Sequence, residues 1–165
     1  MTVSCNCYAL RQASRRVSQL YDQLLAPSGL PATQYMLLVE VEKLGPISLL
    51  PLATHMIMDR ATIGHNIRPL EANGCLTLAV GEDRRSRGAS LTKAGRKVLA
   101  GAKPLWQRAH AIFEAKIGPE DSAKLRTMPR RVAEREFSVE EGQVDAARSA
   151  LAAGPARLEE TGSCP

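Results

Sequence analysis

Between Cys7 and Leu25 the apolar positions Leu10, Ala13, Val17, Leu20 and Leu24 step by three and four, with Arg11, Arg15, Arg16 and Asp22 on the other side. That is the period of an amphipathic helix with one apolar seam. PSGLPATQ ends it and starts another, because Pro31 is tolerated in a first turn. Met36, Leu37, Val39, Val41 and Leu44 then predict a largely buried helix, closed by Gly45 and Pro46. A short extended piece follows at Pro46 and Ile47. Ser48 is placed to cap a short helix to about Met56, with Leu49, Leu52 and Met56 inward. Asp59 is placed to cap the next, which runs to about Asn73 before Gly74 stops it.

CLTLAV (75–80) alternates as a strand should, and RGASL (87–91) can return beside it as a hairpin. Thr92 then caps a long helix to about Ile117, with Val98, Leu105, Ala109, Ile112 and Phe113 expected inside. After Gly118 the pattern loosens. Pro119 and Glu120 can begin a helix, but Pro129 is expected to interrupt it. A weak stripe at Val144, Ala147 and Leu151 leads to Gly154 and Pro155, and residues 154–165 are expected to be disordered. The predicted fold is mainly α with a small β-hairpin wing: a winged helix-turn-helix flanked by long helices.

On the helix begun by Asp59, about 100° per residue places Ile63, Ile67 and Leu70 in one inward stripe. The opposite side carries Ala61, His65, Arg68 and Ala72. Every surface helix has a polar face, so this alone decides little. The next segment adds weight: GEDRRSRGASLT (81–92) places Asp83, Arg84, Arg85 and Arg87 at a hairpin tip. Like charges crowded on a turn oppose folding slightly unless a polyanion accepts them. An outer helix face that enters a major groove and a cationic hairpin in the adjacent minor groove would answer both patterns. Ala61 would allow close approach, Arg68 and His65 would donate to base edges or phosphate, Thr62 would add a hydroxyl contact and Arg60 a phosphate contact. Asp83 would orient the Arg85 guanidinium.

Charge distribution agrees with an anionic partner. The net charge is +5, but residues 1–118 hold 15 Lys and Arg against 8 Asp and Glu, and residues 119–165 hold 7 against 9. The basic field therefore belongs to the body of the chain. No apolar window approaches a membrane span and the first residues lack a signal-peptide core, so a cytoplasmic protein without a membrane partner is expected. Four cysteines in 165 residues do not make a disulfide scaffold.

LPATQYMLL, MDRATIGHNIRPLEANGCL and EDRRSRGASLTKAGR together resemble the MarR family of bacterial transcription regulators over roughly residues 7 to 118. The third segment is similar to that family's D-x-R wing followed by L-T-x-x-G. The resemblance implies a homodimer on a pseudopalindromic double-stranded DNA operator, usually a repressor released by a small ligand, for instance an aromatic one, or by an oxidant. It places DNA contacts on Arg60, Thr62, His65 and Arg68 and the wing pair on Asp83 and Arg85. It also implies a division into an N-terminal dimerisation helix (1–30), a winged helix-turn-helix (31–92), C-terminal dimerisation helices (93–137) and a weakly helical or disordered tail (138–165). The chain departs from the pattern at Pro51, Ile57, Gly64 and His65, and after about Met128 it is more polar and broken than the family's usual interface helix.

Cys7 opens the first helix, where the helix dipole favours a thiolate. In the peroxide-sensing branch of that family a reactive cysteine stands at the matching place and bonds two tyrosines. Tyr21 matches one; Arg11 stands at the other. The plainer reading, that Cys5 and Cys7 are small residues at a helix start, is the favoured one. A thiol-based peroxide-sensing or peroxide-reducing protein is the alternative function. Cys-x-Cys with scattered His55, His65 and His110 forms no recognised zinc pattern, and no metal or other cofactor is expected. No nucleophile elbow, phosphate-cradling glycine loop or spaced acid/base pair points to an enzyme. A winged helix used for protein interaction would carry an apolar outer face on residues 60–73, where this chain has His, Arg and alanines.

Overall fold

The structure, a computed structural model, describes residues 5–80, 87–137 and 141–152. It divides into two compact units, Met1–Arg126 and Thr127–Pro165. In chain order the helices are α1 (Asn6–Leu25), α2 (Ala32–Leu44), α3 (Leu49–His55), α4 (Arg60–Ala72), α5 (Lys93–Ile117), α6 (Pro119–Ala133) and α7 (Glu141–Ala152). The strands are β1 (Ile47–Ser48), β2 (Leu76–Val80) and β3 (Arg87–Leu91). They form one antiparallel sheet in the order β1-β3-β2, with Ile47 opposite Ala89 and Leu78 opposite the same residue from the other side. This is the expected mainly α architecture with a β-hairpin wing.

The core of the first unit gathers Leu25, Tyr35, Leu37, Leu38, Val41, Leu52, Ile63, Ile67, Leu70, Leu76 and Leu99. Burial at this density removes apolar surface from water at about 25 cal/mol per Å² and fixes α2, α3 and α4 around one centre. The predicted inward faces of α3 and α4 hold: Leu52 is buried, Leu49 and Met56 pack at the margin, and Ile63, Ile67 and Leu70 are buried. Two stripes are shifted. On α2, Met36 and Leu44 are exposed, and Tyr35 and Leu38 take the inner positions. On α5 the buried residues are Gly95, Leu99, Ala102 and Ala109, while Val98, Leu105, Ile112 and Phe113 are half-buried. Small residues let α5 lie close to its neighbours, so the deepest stripe is not its most apolar one.

The end of α4 and the start of α5 are joined by one device. Asn73 and Gly74 close α4 with Gly74 N–H donating to the Glu71 carbonyl at 2.9 Å and Cys75 N–H to that of Leu70 at 2.8 Å. Gly74 adopts φ 67°, which suits glycine. The Thr92 hydroxyl donates to the Gly74 carbonyl at 2.6 Å and accepts the Gly95 N–H at 2.9 Å, so it caps α5 and holds α5 to that turn. At Gly95 an added Cβ would overlap the Cys75 carbonyl. The L-T-x-x-G spacing is thereby explained: threonine ties, glycine makes room.

Two local expectations fail. Ser48 occupies the N-cap position of α3 but its side chain makes no cap bond. Pro129 does not interrupt α6, which continues to Ala133, with Glu134 N–H donating to the Arg130 carbonyl at 2.9 Å. One missing N–H removes one bond and does not force a break. In the second unit, α7 carries Val144 on an exposed side, and the segment expected to be disordered, 154–165, lies outside the described residues.

Candidate nucleic-acid interface

The Asp59 carboxylate makes the N-terminus of α4. Its Oδ1 accepts the Thr62 backbone N–H at 2.7 Å and its Oδ2 accepts the Thr62 hydroxyl, also at 2.7 Å. The Thr62 backbone N–H foremost, and its hydroxyl next, hold the Asp59 carboxyl below the usual carboxylate range against a small opposing desolvation. With Ile63, Ile67 and Leu70 facing the core, helical geometry turns Ala61, His65 and Arg68 outward, and all three are exposed together with Arg60 and Thr62. A concavity on this outer side is lined by Arg60, Ala61, Thr62, Gly64, His65, Asn66 and Arg68. Its floor is low because Ala61 has only a methyl and Gly64 no side chain. Asn66 ties its amide nitrogen to the Thr62 carbonyl at 2.9 Å. The five recognition-helix residues expected from sequence are therefore brought together on one accessible face.

The wing is present as the β2–β3 hairpin, in register from Leu76 opposite Leu91 to Val80 opposite Arg87. Arg87 opens β3 and pairs with Val80, the last residue of β2. Asp83, Arg84 and Arg85 lie outside the described residues. Sequence alone does not supply β1 with a partner; it joins β3 along the edge opposite β2 and ties the entry of α3 to the wing.

A second constellation links α1, α2, α5 and α6. The Tyr21 hydroxyl lies 3.2 Å from His110 Nδ1, and His110 Nε2 lies 3.5 Å from a Glu114 carboxylate oxygen. Arg126 donates to that same oxygen at 3.1 Å and to the hydroxyl of the buried Ser122 at 2.9 Å. Trp106 stacks on His110 at 5.3 Å between centroids and on Tyr35 at 6.0 Å. Burial pushes the Tyr21 pKa up, Arg126 opposing and Glu114 adding to the rise, so Tyr21 remains a neutral hydroxyl. This cluster escaped sequence inspection because its members come from separate helices; the local signals are spacings of four, Trp106 to His110 to Glu114 on α5 and Ser122 to Arg126 on α6. Trp106 packs against the core with Tyr21, Tyr35 and His110.

Cys5 and Cys7 are exposed free thiols and Cys75 is buried. Cys7 and Tyr21 stand at opposite ends of α1, about 21 Å apart at 1.5 Å per residue. Within one chain they do not meet. His55 is exposed, and its Nε2 lies 3.1 Å from a Glu40 carboxylate oxygen. Among the described residues no group of three His, Cys, Asp or Glu is arranged to hold a metal ion, and no helix is long and apolar enough to cross a membrane.

Comparison with known proteins places this geometry. No family model matches the chain. It is 27% identical over 90 residues to the uncharacterised HTH-type transcriptional regulator YwoH of Bacillus subtilis, a match covering 54% of this chain and 66% of YwoH. The DNA complex of the M. tuberculosis transcriptional regulator MosR is 30% identical, covers 94% of this chain and 100% of its own, and superimposes with a TM-score of 0.65. A MarR family regulator from Rhodococcus sp. RHA1, 22% identical over 79% of this chain and 94% of its own, shares the fold with a TM-score of 0.69. The molecule is thus a winged helix-turn-helix of the transcription-regulator type. The chain belongs to the MarR family of transcriptional regulators.

Proposed function

We propose that the protein is a sequence-specific, DNA-binding transcriptional repressor that acts in the cytoplasm as a homodimer on a pseudopalindromic operator and is released by a small ligand or an oxidant. One observation carries this reading: the side of α4 turned from the core gathers Arg60, Ala61, Thr62, His65 and Arg68 around one concavity, beside a hairpin whose sequence supplies Arg84, Arg85 and Arg87. Small and donor side chains on a helix face suit a major groove. An arginine-rich hairpin suits the adjacent minor groove, where the potential is most negative. Tyr8 and Leu10 on α1 are exposed apolar residues on a helix that needs a partner. Among the described residues, Cys5 and Cys7 are exposed thiols that an oxidant would reach, and Cys7 is the one at the family's sensor position.

Binding of a selected operator is measured by fluorescence anisotropy across a salt series. Affinity should fall steeply with salt, and Arg85→Ala should reduce the log–log slope by about one for the phosphate contact removed. An unchanged slope takes the wing out of the interface. Arg68→Ala should relax preference at one position of each half-site; an unaltered selection profile removes its reading role.

A further inference from the structure

The polarity of one contact on α4 is fixed by chemistry already inside the helix. Asp59 carries a carboxylate, which is acceptor-only. At 2.7 Å from its Oδ2, the Thr62 hydroxyl must be the donor, so its single hydrogen points at Asp59. The helix N-cap holds the carboxylate in place through a second bond at 2.7 Å to the Thr62 N–H. What remains outward on Thr62 is lone pair and methyl, next to a negative charge. A guanine or thymine carbonyl, or a phosphate oxygen, meets repulsion there; an exocyclic amine meets acceptance. On the other side of the same face Arg60 and Arg68 offer only donors.

We propose that Thr62 is a specificity-determining residue that acts purely as a hydrogen-bond acceptor, its polarity set by Asp59, so that each half-site presents an adenine N6 or cytosine N4 amine on the strand Thr62 approaches. This rests on the DNA-binding reading above and deepens it. Asp59 is the positioning residue and Thr62 the reader. Asparagine at 59 keeps an oxygen for the Thr62 N–H, since Asn and Asp cap equally well. Its Nδ2 then donates to the threonine oxygen, and the hydroxyl hydrogen is turned outward. The substitution thus reverses the polarity of the contact with little change of shape.

The test is selection of binding sites from random duplex DNA with the wild type, Thr62→Val and Asp59→Asn, each followed by affinity measurement on single-base variants of the enriched site. The wild type should prefer adenine or cytosine at one position per half-site by about fivefold or more. Thr62→Val should lose that preference alone, and Asp59→Asn should swing it to guanine or thymine at the same position. An enriched operator whose preference at every position is the same in all three proteins overturns the inference and leaves the regulator intact. So does a thymine preference that survives Asp59→Asn, which would assign the contact to the methyl group. Absence of any enriched site with the wild type overturns the regulator reading, and this inference with it.

Discussion

Three backbone positions separate what folding requires from what it merely tolerates. At Gly95 an added Cβ would overlap the Cys75 carbonyl, a backbone atom pinned by the Thr92 tie. Gly95→Ala should therefore destabilise the protein by about 3 kcal/mol, read from urea unfolding midpoints. At Gly64 an added Cβ would meet nothing within 4 Å, and a mid-helix glycine costs about 1 kcal/mol relative to alanine. Gly64→Ala should stabilise by about that amount; loss of operator affinity in the same variant would mark Gly64 as a place where DNA approaches the helix backbone. Ile57 is a β-branched residue at φ 52° and is 67% exposed, so neither packing nor conformation favours it. The departures at Gly64 and Ile57 could be read from sequence as unusual, and the structure separates them: one is unstrained and open, the other strained and open.

Among the elements, α4 was the most legible and α6 the least. Asp59, the apolar spacing of Ile63, Ile67 and Leu70, and Gly74 each act locally, so they can be seen in the sequence before any fold is known. The sense of the Thr62 hydroxyl could not, because it depends on where one hydrogen points. The inner stripe of α5 was misplaced because close packing at Gly95, Ala102 and Ala109 selects small residues over large ones. Pro129 misled because a proline near a helix end removes a single bond. The α4 cap also has a pH signature. Asp59's carboxyl is lowered in the folded state, so its contribution is fully present above the unfolded value of about 3.9 and is lost as pH falls through the lower folded value. Wild type and Asp59→Asn should match in urea midpoint near neutrality. Below about pH 4 the wild type should fall more steeply than the variant, since asparagine has no charge to lose. Parallel acid limbs would show that the carboxylate contributes nothing through its charge.

At the scale of the whole molecule, α1 carries the unsolved burial. Its seam of Leu10, Ala13, Val17, Leu20 and Leu24 continues over the helix, yet only Leu25 is buried, at the C-terminal end where α1 meets the core. Toward the N-terminus Leu10 is 45% and Tyr8 55% exposed. A helix of 20 residues whose apolar positions lie exposed toward its N-terminus would be stabilised by a second copy that covers them. In the proposed homodimer, two winged units joined in this way would bind two half-sites at once, and the second contact would become intramolecular. Leu10→Glu places a charge in that contact while leaving the core around α2, α3 and α4 untouched. It should shift the protein from dimer to monomer in sedimentation velocity, with helix content nearly preserved by circular dichroism. Operator affinity should fall on the order of a hundredfold as the linked second half-site is lost, while affinity for an isolated half-site should stay unchanged. A variant that remains dimeric would move the interface off this part of α1. A monomer that keeps full operator affinity would show that one winged unit suffices, and that the palindrome expected of the operator has no counterpart in this protein's assembly.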